Sequence, residues 1–375
     1  MITGQKAETP ASVTARPHLS LPYAAPVFDT AITPTWPFPP PGPRNRHIHD
    51  TICLKPGFTH TITPEPWRLP HVKITTPSQK QQNGVRPSSR SHSMSAGTIL
   101  ITGAGTGFGK EVALRLAEQG HSVIAGVEIA AQVKSLQDEA AARNTRLRIE
   151  KLDVTCPGDR HKASGWDVGA LLNNAGISEG GSMVDIPARN LRHQFEVNVI
   201  GPALLTRDIA RKMAAKRKGK IVFMSSVAGL TTDPFAGAYS ASKHAIEAIA
   251  SALQQELREF SVEVATINPG PFLTGFNDRM FETWKSWLDD PAKRLFDYAK
   301  IAFPHEQYDP EPVFETTIGV LTGQIGTYRN VEPKDIIGQQ KEQLEATWSL
   351  RSADHLGTRA ELVQKASEIR PATPV

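Results

Sequence analysis

From Gly97 onward, short apolar runs alternate with longer amphipathic stretches; residues 1–93 show no such rhythm. Thr98–Thr102 is a brief apolar run ending in glycines, the signature of a buried strand. The pattern predicts further strands at Ser122–Val127, Leu147–Val154, Ala170–Asn173, Lys220–Ser225 and Val262–Asn268. Between them it predicts helices over Val112–Glu118, Gln132–Arg143, about Leu191–Lys216 and Tyr239–Phe260. In the last of these, Ile246, Ile249, Ala250, Leu253 and Leu257 recur at helical spacing and form one apolar stripe.

Strand and helix alternate, and the connections are too long for hairpins, so the strands are expected to be parallel. Right-handed crossovers then give a three-layer α/β fold, a doubly wound sheet of Rossmann type. The expected organisation is a disordered Pro-rich basic extension at 1–95, the α/β domain at 96–275, and a lid or helical region of the same domain at 276–375. Tyr328–Val331 is a candidate edge strand. Phe272, Phe276, Met280, Phe281, Trp284 and Trp287 are read either as an apolar lid or as a second small core.

Composition separates the two ends of the chain. Residues 1–95 hold 16 of the 29 prolines, with 10 Lys+Arg against 4 Asp+Glu, a net +6. The remaining 280 residues carry 32 basic and 34 acidic groups, a net −2. The basic character belongs to the extension, so nucleic acid is not an expected partner. Two cysteines, Cys53 and Cys156, supply neither a disulfide framework nor a four-cysteine metal site, and no metal is expected. No apolar run reaches the ~18 residues of a membrane span. Pro10, Pro17, Pro22 and Pro26 break the amphipathic helix of a transit peptide, and the expected location is cytoplasmic. Pro34, Pro37 and Pro39–Pro41 favour an extended polyproline conformation, read as a solvated tail rather than a recruiting one. Met94 stands just before the first strand, where a shorter working chain would begin.

The candidate chemistry lies at strand ends. Thr102-Gly103-Ala104-Gly105-Thr106-Gly107-Phe108-Gly109 joins the first strand to the first helix. Such a turn lets the backbone approach a pyrophosphate beside the free N–H groups of a helix N-terminus. Tyr239 and Lys243 lie four apart and share a helix face. A phenol titrates near ~10, and a neighbouring ammonium favours the phenolate, so the pair suits proton transfer in carbonyl/alcohol chemistry. Ser226 follows the fifth strand, where a hydroxyl can hold a substrate oxygen. Asn198 sits inside a helical stretch, where asparagine is a mediocre helix former. Its side chain, or a locally freed backbone carbonyl, would hold a water leading to Lys243.

In these motifs the chain resembles a short-chain dehydrogenase/reductase of the ordinary, non-extended kind. The resemblance rests on the glycine turn at 102–109, Asn173-Asn174-Ala175-Gly176, the tetrad Asn198, Ser226, Tyr239 and Lys243, and Pro269-Gly270 with Thr274. Asp153-Val154 matches the pair lying against the adenine. The resemblance covers about residues 97–275. It implies NAD or NADP across the strand ends, held by Gly103, Gly107, Phe108, Gly109, Glu128, Asp153, Val154, Asn174, Ala175, Gly176, Tyr239, Lys243, Pro269, Gly270 and Thr274. It further implies Tyr239 as proton donor or acceptor, Ser226 holding the substrate oxygen, Lys243 serving the tyrosine and the ribose, and Asn198 supporting a water relay. The substrate would be a small alcohol or carbonyl compound, and the assembly a homo-oligomer joined through the long helices.

Two departures stand out. Only 20 positions separate Asp153 from Asn173, with Pro157 and Gly158 between them, so this crossover is expected to be abbreviated. Val127 falls where the family's acid usually sits, and Glu128 follows it. A carboxylate repels a 2′-phosphate, which favours NAD. The alternatives to a dehydrogenase are a catalytically silent nucleotide-binding regulator, an isomerase or epimerase using the same Tyr/Lys pair, and an interaction protein acting through its Pro-rich tail.

Overall fold

The computed structural model describes residues 97–369. The extension read at 1–95 lies outside the described residues. Seven strands form one sheet: β1 (Ile99–Ile101), β2 (Val123–Val127), β3 (Arg148–Lys151), β4 (Ala170–Asn173), β5 (Gly219–Met224), β6 (Val262–Pro269) and β7 (Arg329–Glu332). Their order is β3-β2-β1-β4-β5-β6-β7, and every pairing is parallel. The chain winds outward from β1 in one direction and from β4 in the other, so the topological switch lies between β1 and β4.

The helices are α1 (Gly107–Glu118), α2 (Ala130–Ala142), α3 (Pro157–Ser164), α4 (Ala188–Phe195), α5 (Gly201–Lys216), α6 (Gly237–Glu256), α7 (Phe276–Met280), α8 (Glu311–Thr322), α9 (Ile337–Ala346) and α10 (Glu361–Glu368). Successive strand residues point to opposite faces, and two cores result. Ile99, Ile101 and Leu172 meet Val112 and Leu116 of α1 and Phe314 of α8 on one side. Leu100 and Leu171 meet Leu205 and Ile209 of α5 and Ile246 of α6 on the other. The stripe read from Ile246 to Leu257 packs there as its spacing requires. None of the helices among the described residues is long and apolar enough to cross a membrane.

Several boundaries differ from the sequence pattern for local reasons. Helix α1 starts at Gly107 rather than Val112, because glycines tolerated in a helix's first turn mask its start in an apolar-periodicity reading. Strand β3 ends at Lys151, after which the Asp153 carboxylate accepts hydrogen bonds from Thr155 N and Oγ1 and turns the chain away. The crossover after it is abbreviated, as expected, with eight residues in α3; Pro157 starts that helix rather than interrupting it. The stretch Leu191–Lys216 is one helical column broken by a widened π turn at Glu196–Ile200. Pro202 has no N–H to give the carbonyl of Asn198 four residues earlier, so α-helical pairing fails there.

The apolar residues after β6 divide. Phe272 joins the core beneath α1 and α8. Met280, Phe281 and Trp287, with Phe276 and Trp284 against them, form a third core with Phe235, Tyr239 and Tyr298.

Candidate active site

The chain end of each central strand delivers residues to one cavity of ≈ 270 Å³. Its floor is the turn after β1. Gly103 adopts φ +64°, and a Cβ there would meet Ala175 Cα at 2.6 Å. Gly107 adopts φ +56°, but a Cβ there would meet nothing within 4 Å, because the position faces open space. Both conformations suit glycine. Gly109 has another task. A Cβ would meet Asn174 Nδ2 at 2.3 Å and Gly103 O at 2.7 Å, so its small size lets α1 press against the turn. Thr102 Oγ1 accepts from the N–H groups of Asn174 and Ala175, each at 3.0 Å, and Asn174 Nδ2 donates to the carbonyls of Thr102 and Gly103. The ends of β1 and β4 are thereby laced together.

Helix α6 supplies Tyr239 and Lys243 to the far wall. Tyr239 is buried, and its ring meets Phe276 edge-on at 5.7 Å between centroids. Lys243 is buried as well; Nζ donates to Met224 O at 2.7 Å and lies 5.6 Å from the Tyr239 ring centroid. Ser242, between them, donates to Tyr239 O and accepts from Asn198 Nδ2 at 3.1 Å, tying α6 to the π turn. Ser226 caps the short 3-10 turn after β5, with Oγ accepting from Ala228 N and donating to Pro269 O.

Burial governs both titrating groups. It pushes the Tyr239 phenol up to about 12, opposed by the Ser226 hydroxyl. It pulls the Lys243 ammonium down to about 8, opposed by the charge of Glu247. The expected lowering of the phenol by its lysine does not arise here; only the Ser226 hydroxyl opposes desolvation. At neutral pH Tyr239 keeps its proton.

Of the residues singled out from the sequence, Gly103, Gly107, Phe108, Glu128, Asp153, Val154, Asn174, Ala175, Gly176, Ser226, Tyr239, Lys243, Pro269, Gly270 and Thr274 all line the cavity. Gly109 and Asn198 do not. The side chain of Asn198 is fully engaged: Oδ1 accepts from Ile177 N at 2.9 Å, and Nδ2 donates to Ile177 O and Ser242 Oγ. Pro202, four residues later, cannot donate to its carbonyl.

The short chain dehydrogenase family profile matches residues 97–285, which contain every one of these side chains. The chain belongs to the short-chain dehydrogenase/reductase family. It is 32% identical over 238 residues to the uncharacterized oxidoreductase YusZ of Bacillus subtilis, covering 60% of this chain and 84% of that protein. It is 34% identical over 184 residues to the NADPH-dependent 3-dehydrocapnine reductase of Ornithobacterium rhinotracheale, covering 47% of this chain and 65% of that one. Among solved structures, a short-chain dehydrogenase from Streptomyces avermitilis superimposes with a TM-score of 0.56 at 26% identity, over 68% of this chain and 94% of the other.

This member of the family also lines its cavity with residues the sequence reading passed over. Gln132 reaches back so that Oε1 accepts from the N–H groups of Glu128 and Ile129, which fixes the turn after β2. Its position at the third residue of α2 is a capping signal. Ile177, His193, Asn277 and Arg279 complete the mouth. Asn277 and Arg279 follow the last motif, in a stretch with no periodicity, and nothing in the sequence marked them.

The cavity fits a dinucleotide on its own geometry. Thr106 at the head of α1 makes no side-chain cap, so the helix's first N–H groups have no side-chain acceptor from that residue. Gly107 leaves open the space a side chain would fill.

Proposed function

We propose that the chain is a nicotinamide-dependent oxidoreductase interconverting an alcohol and its carbonyl compound. One observation carries this reading: Tyr239, Lys243 and Ser226 open into the same cavity as the glycine turn. Gly103, Gly107 and the head of α1 would hold the pyrophosphate, Glu128 the adenosine ribose, Asp153 and Val154 the adenine, and Lys243 the nicotinamide ribose. Asn174, Ala175, Gly176, Pro269, Gly270 and Thr274 would close the walls around it, with Gly109 acting through packing. A nicotinamide held by these residues would supply hydride transfer chemistry at the substrate carbon.

The protein's own residues handle the proton. Ser226 Oγ hydrogen-bonds the substrate oxygen. Tyr239, protonated at neutral pH, donates to that oxygen as the carbonyl is reduced, and in the reverse direction takes the proton back. Lys243 steadies the charge that develops on the phenol, and a water on the Asn198 carbonyl passes a proton toward Lys243. The Glu128 carboxylate favours NAD over NADP, since it would oppose a 2′-phosphate. The substrate is proposed to be a small molecule and the working assembly a homo-oligomer.

The test starts with calorimetric titration of NADH and NADPH, followed by a screen of ketones and secondary alcohols with the nucleotide that binds. Tyr239→Phe is expected to lose turnover by a factor on the order of 10²–10⁴ while keeping nucleotide affinity. Turnover unchanged in that variant would overturn the assignment. Consumption or formation of reduced nucleotide during turnover separates a dehydrogenase from an isomerase.

A further inference from the structure

On the same face of α6, one turn beyond Lys243, lies a second charged group. Glu247 is 7% exposed. A carboxylate so buried is costly unless it is paired and hydrogen-bonded. Here Oε1 accepts from Asn268 Nδ2 at 2.6 Å and Oε2 from the Arg329 guanidinium at 2.7 Å. Asn268 is at the end of β6 and fully buried, and the same Nδ2 also donates to Ser226 O at 3.1 Å. Arg329 comes from the edge strand β7, beyond the span matched by the family profile, and its side chain is 44% exposed.

We propose that Glu247 is a positioning residue whose negative charge holds Lys243 in its ammonium form, and that Arg329 sets how strongly Glu247 acts. The proposal rests on the role given to Lys243 above. Four residues apart on one helix, Glu247 and Lys243 share a face. Glu247 is the one charged group acting on Lys243 among the described residues, and it opposes the pull of burial. The groups facing the pair from neighbouring elements are few. Strand β7 brings Arg329, and the Tyr328 phenol precedes it, pushed up by burial and by Glu247. Strand β6 brings the neutral Asn268, and the 3-10 turn brings Ser226. The π turn and α4 bring the neutral Asn198 and Gln194, both through Ser242. On α6 itself the other titratable residues are Tyr239 on the same face, His244, whose Nδ1 meets Ser240 O, and Glu256 at the helix end.

If Arg329 and Glu247 only fasten the edge strand to α6, their removal should loosen the fold without a signed effect on Lys243. If they govern its charge, the two removals act in opposite directions. Without Glu247, Lys243 loses the charge that opposes burial and keeps only its hydrogen bond to Met224 O. Without Arg329, Glu247 keeps its full charge for Lys243.

The experiment is a pH titration of Lys243 in nucleotide-free protein carrying 13C-labelled lysine, with the signal assigned by its loss in Lys243→Met. Glu247→Gln is expected to lower the midpoint by about one pH unit, and Arg329→Met to raise it by a few tenths or more. Arg329→Lys should return it toward the wild-type value. Midpoints that do not move, or that move the same way in both variants, overturn the proposal. Should Glu247→Gln fail to fold, the half-exposed Arg329→Met still decides: an unchanged or lowered midpoint overturns it. Binding of NADH and NADPH to wild type is measured separately. Opposite shifts in a protein that binds neither nucleotide would sink the oxidoreductase reading and leave the charge coupling standing; binding without the shifts would do the reverse.

Discussion

Single side chains at the site answer to burial before they answer to each other. Tyr239 and Lys243 are adjacent, yet desolvation moves both toward their neutral forms, the phenol up to about 12 and the ammonium down to about 8. As pH rises through about 8 in the free protein, Lys243 gives up its charge while Tyr239 still holds its proton. Any property depending on that ammonium, nucleotide affinity included, is expected to weaken across this range, and Lys243→Met should abolish the trend. Glu128 makes a sharper point. It is exposed on the cavity wall beside the turn after β2, while Val127 is wholly buried. Glu128→Arg should raise NADPH affinity relative to NADH by roughly tenfold or more, since a repulsion is replaced by a charge-assisted bond. Fluorescence titration with both nucleotides checks it; an unchanged ratio would place Glu128 away from the ribose. The motif residues were legible because their types are rare in those contexts: glycine at positive φ, and tyrosine and lysine one helical turn apart. The missing α-helical donor to the Asn198 carbonyl was also legible, through Pro202 four residues later. Gln132 carried a local signal in its place at the third residue of α2, whereas nothing local marked Arg279, which reaches the cavity from a stretch without periodicity.

Elements are joined on the outside of α1 by a charged lattice that apolar periodicity does not disclose. Glu111 accepts from Arg115 one turn later and from both terminal nitrogens of Arg143 beyond the end of α2, while Arg115 also pairs with Glu311 at the start of α8. The guanidinium of Arg143 is the largest influence holding the Glu111 carboxyl down at about 2, against the pull of burial. A depressed carboxyl contributes stability that is complete above its unfolded value of ~4.5 and disappears as pH falls through its folded value. Wild type is therefore expected to lose stability between about pH 4.5 and 2. Glu111→Gln should cost on the order of 1–3 kcal/mol at pH 7 and flatten that acid limb. Chemical denaturation at pH 7 and pH 3 measures both; an equal loss at the two values would show that the pairing contributes nothing. Element positions were well marked in the interior, where β4 occupies the predicted Ala170–Asn173. They were poorly marked where polar chemistry sets the ends, as at β3 and at the glycine-rich start of α1.

At the scale of the whole molecule, the family match ends at residue 285, but the sheet does not. Strand β7 pairs with β6 in parallel from Thr266↔Arg329 to Pro269↔Glu332. Helix α8 closes the core beside α1 through Phe314. The protein made to stop at residue 285 would lose both. Strand β6 is buried at seven of its eight positions, and the cut would turn it into an uncapped rim of unpaired peptide groups. Such a rim is a template on which one chain recruits the next. The shortened protein is expected to sediment as aggregate under conditions where the full chain stays dispersed; a dispersed, cooperatively melting product would refute this. A homology boundary drawn by sequence likeness thus runs through the middle of a physical unit, and the last strand serves as the molecule's guard against its own copies.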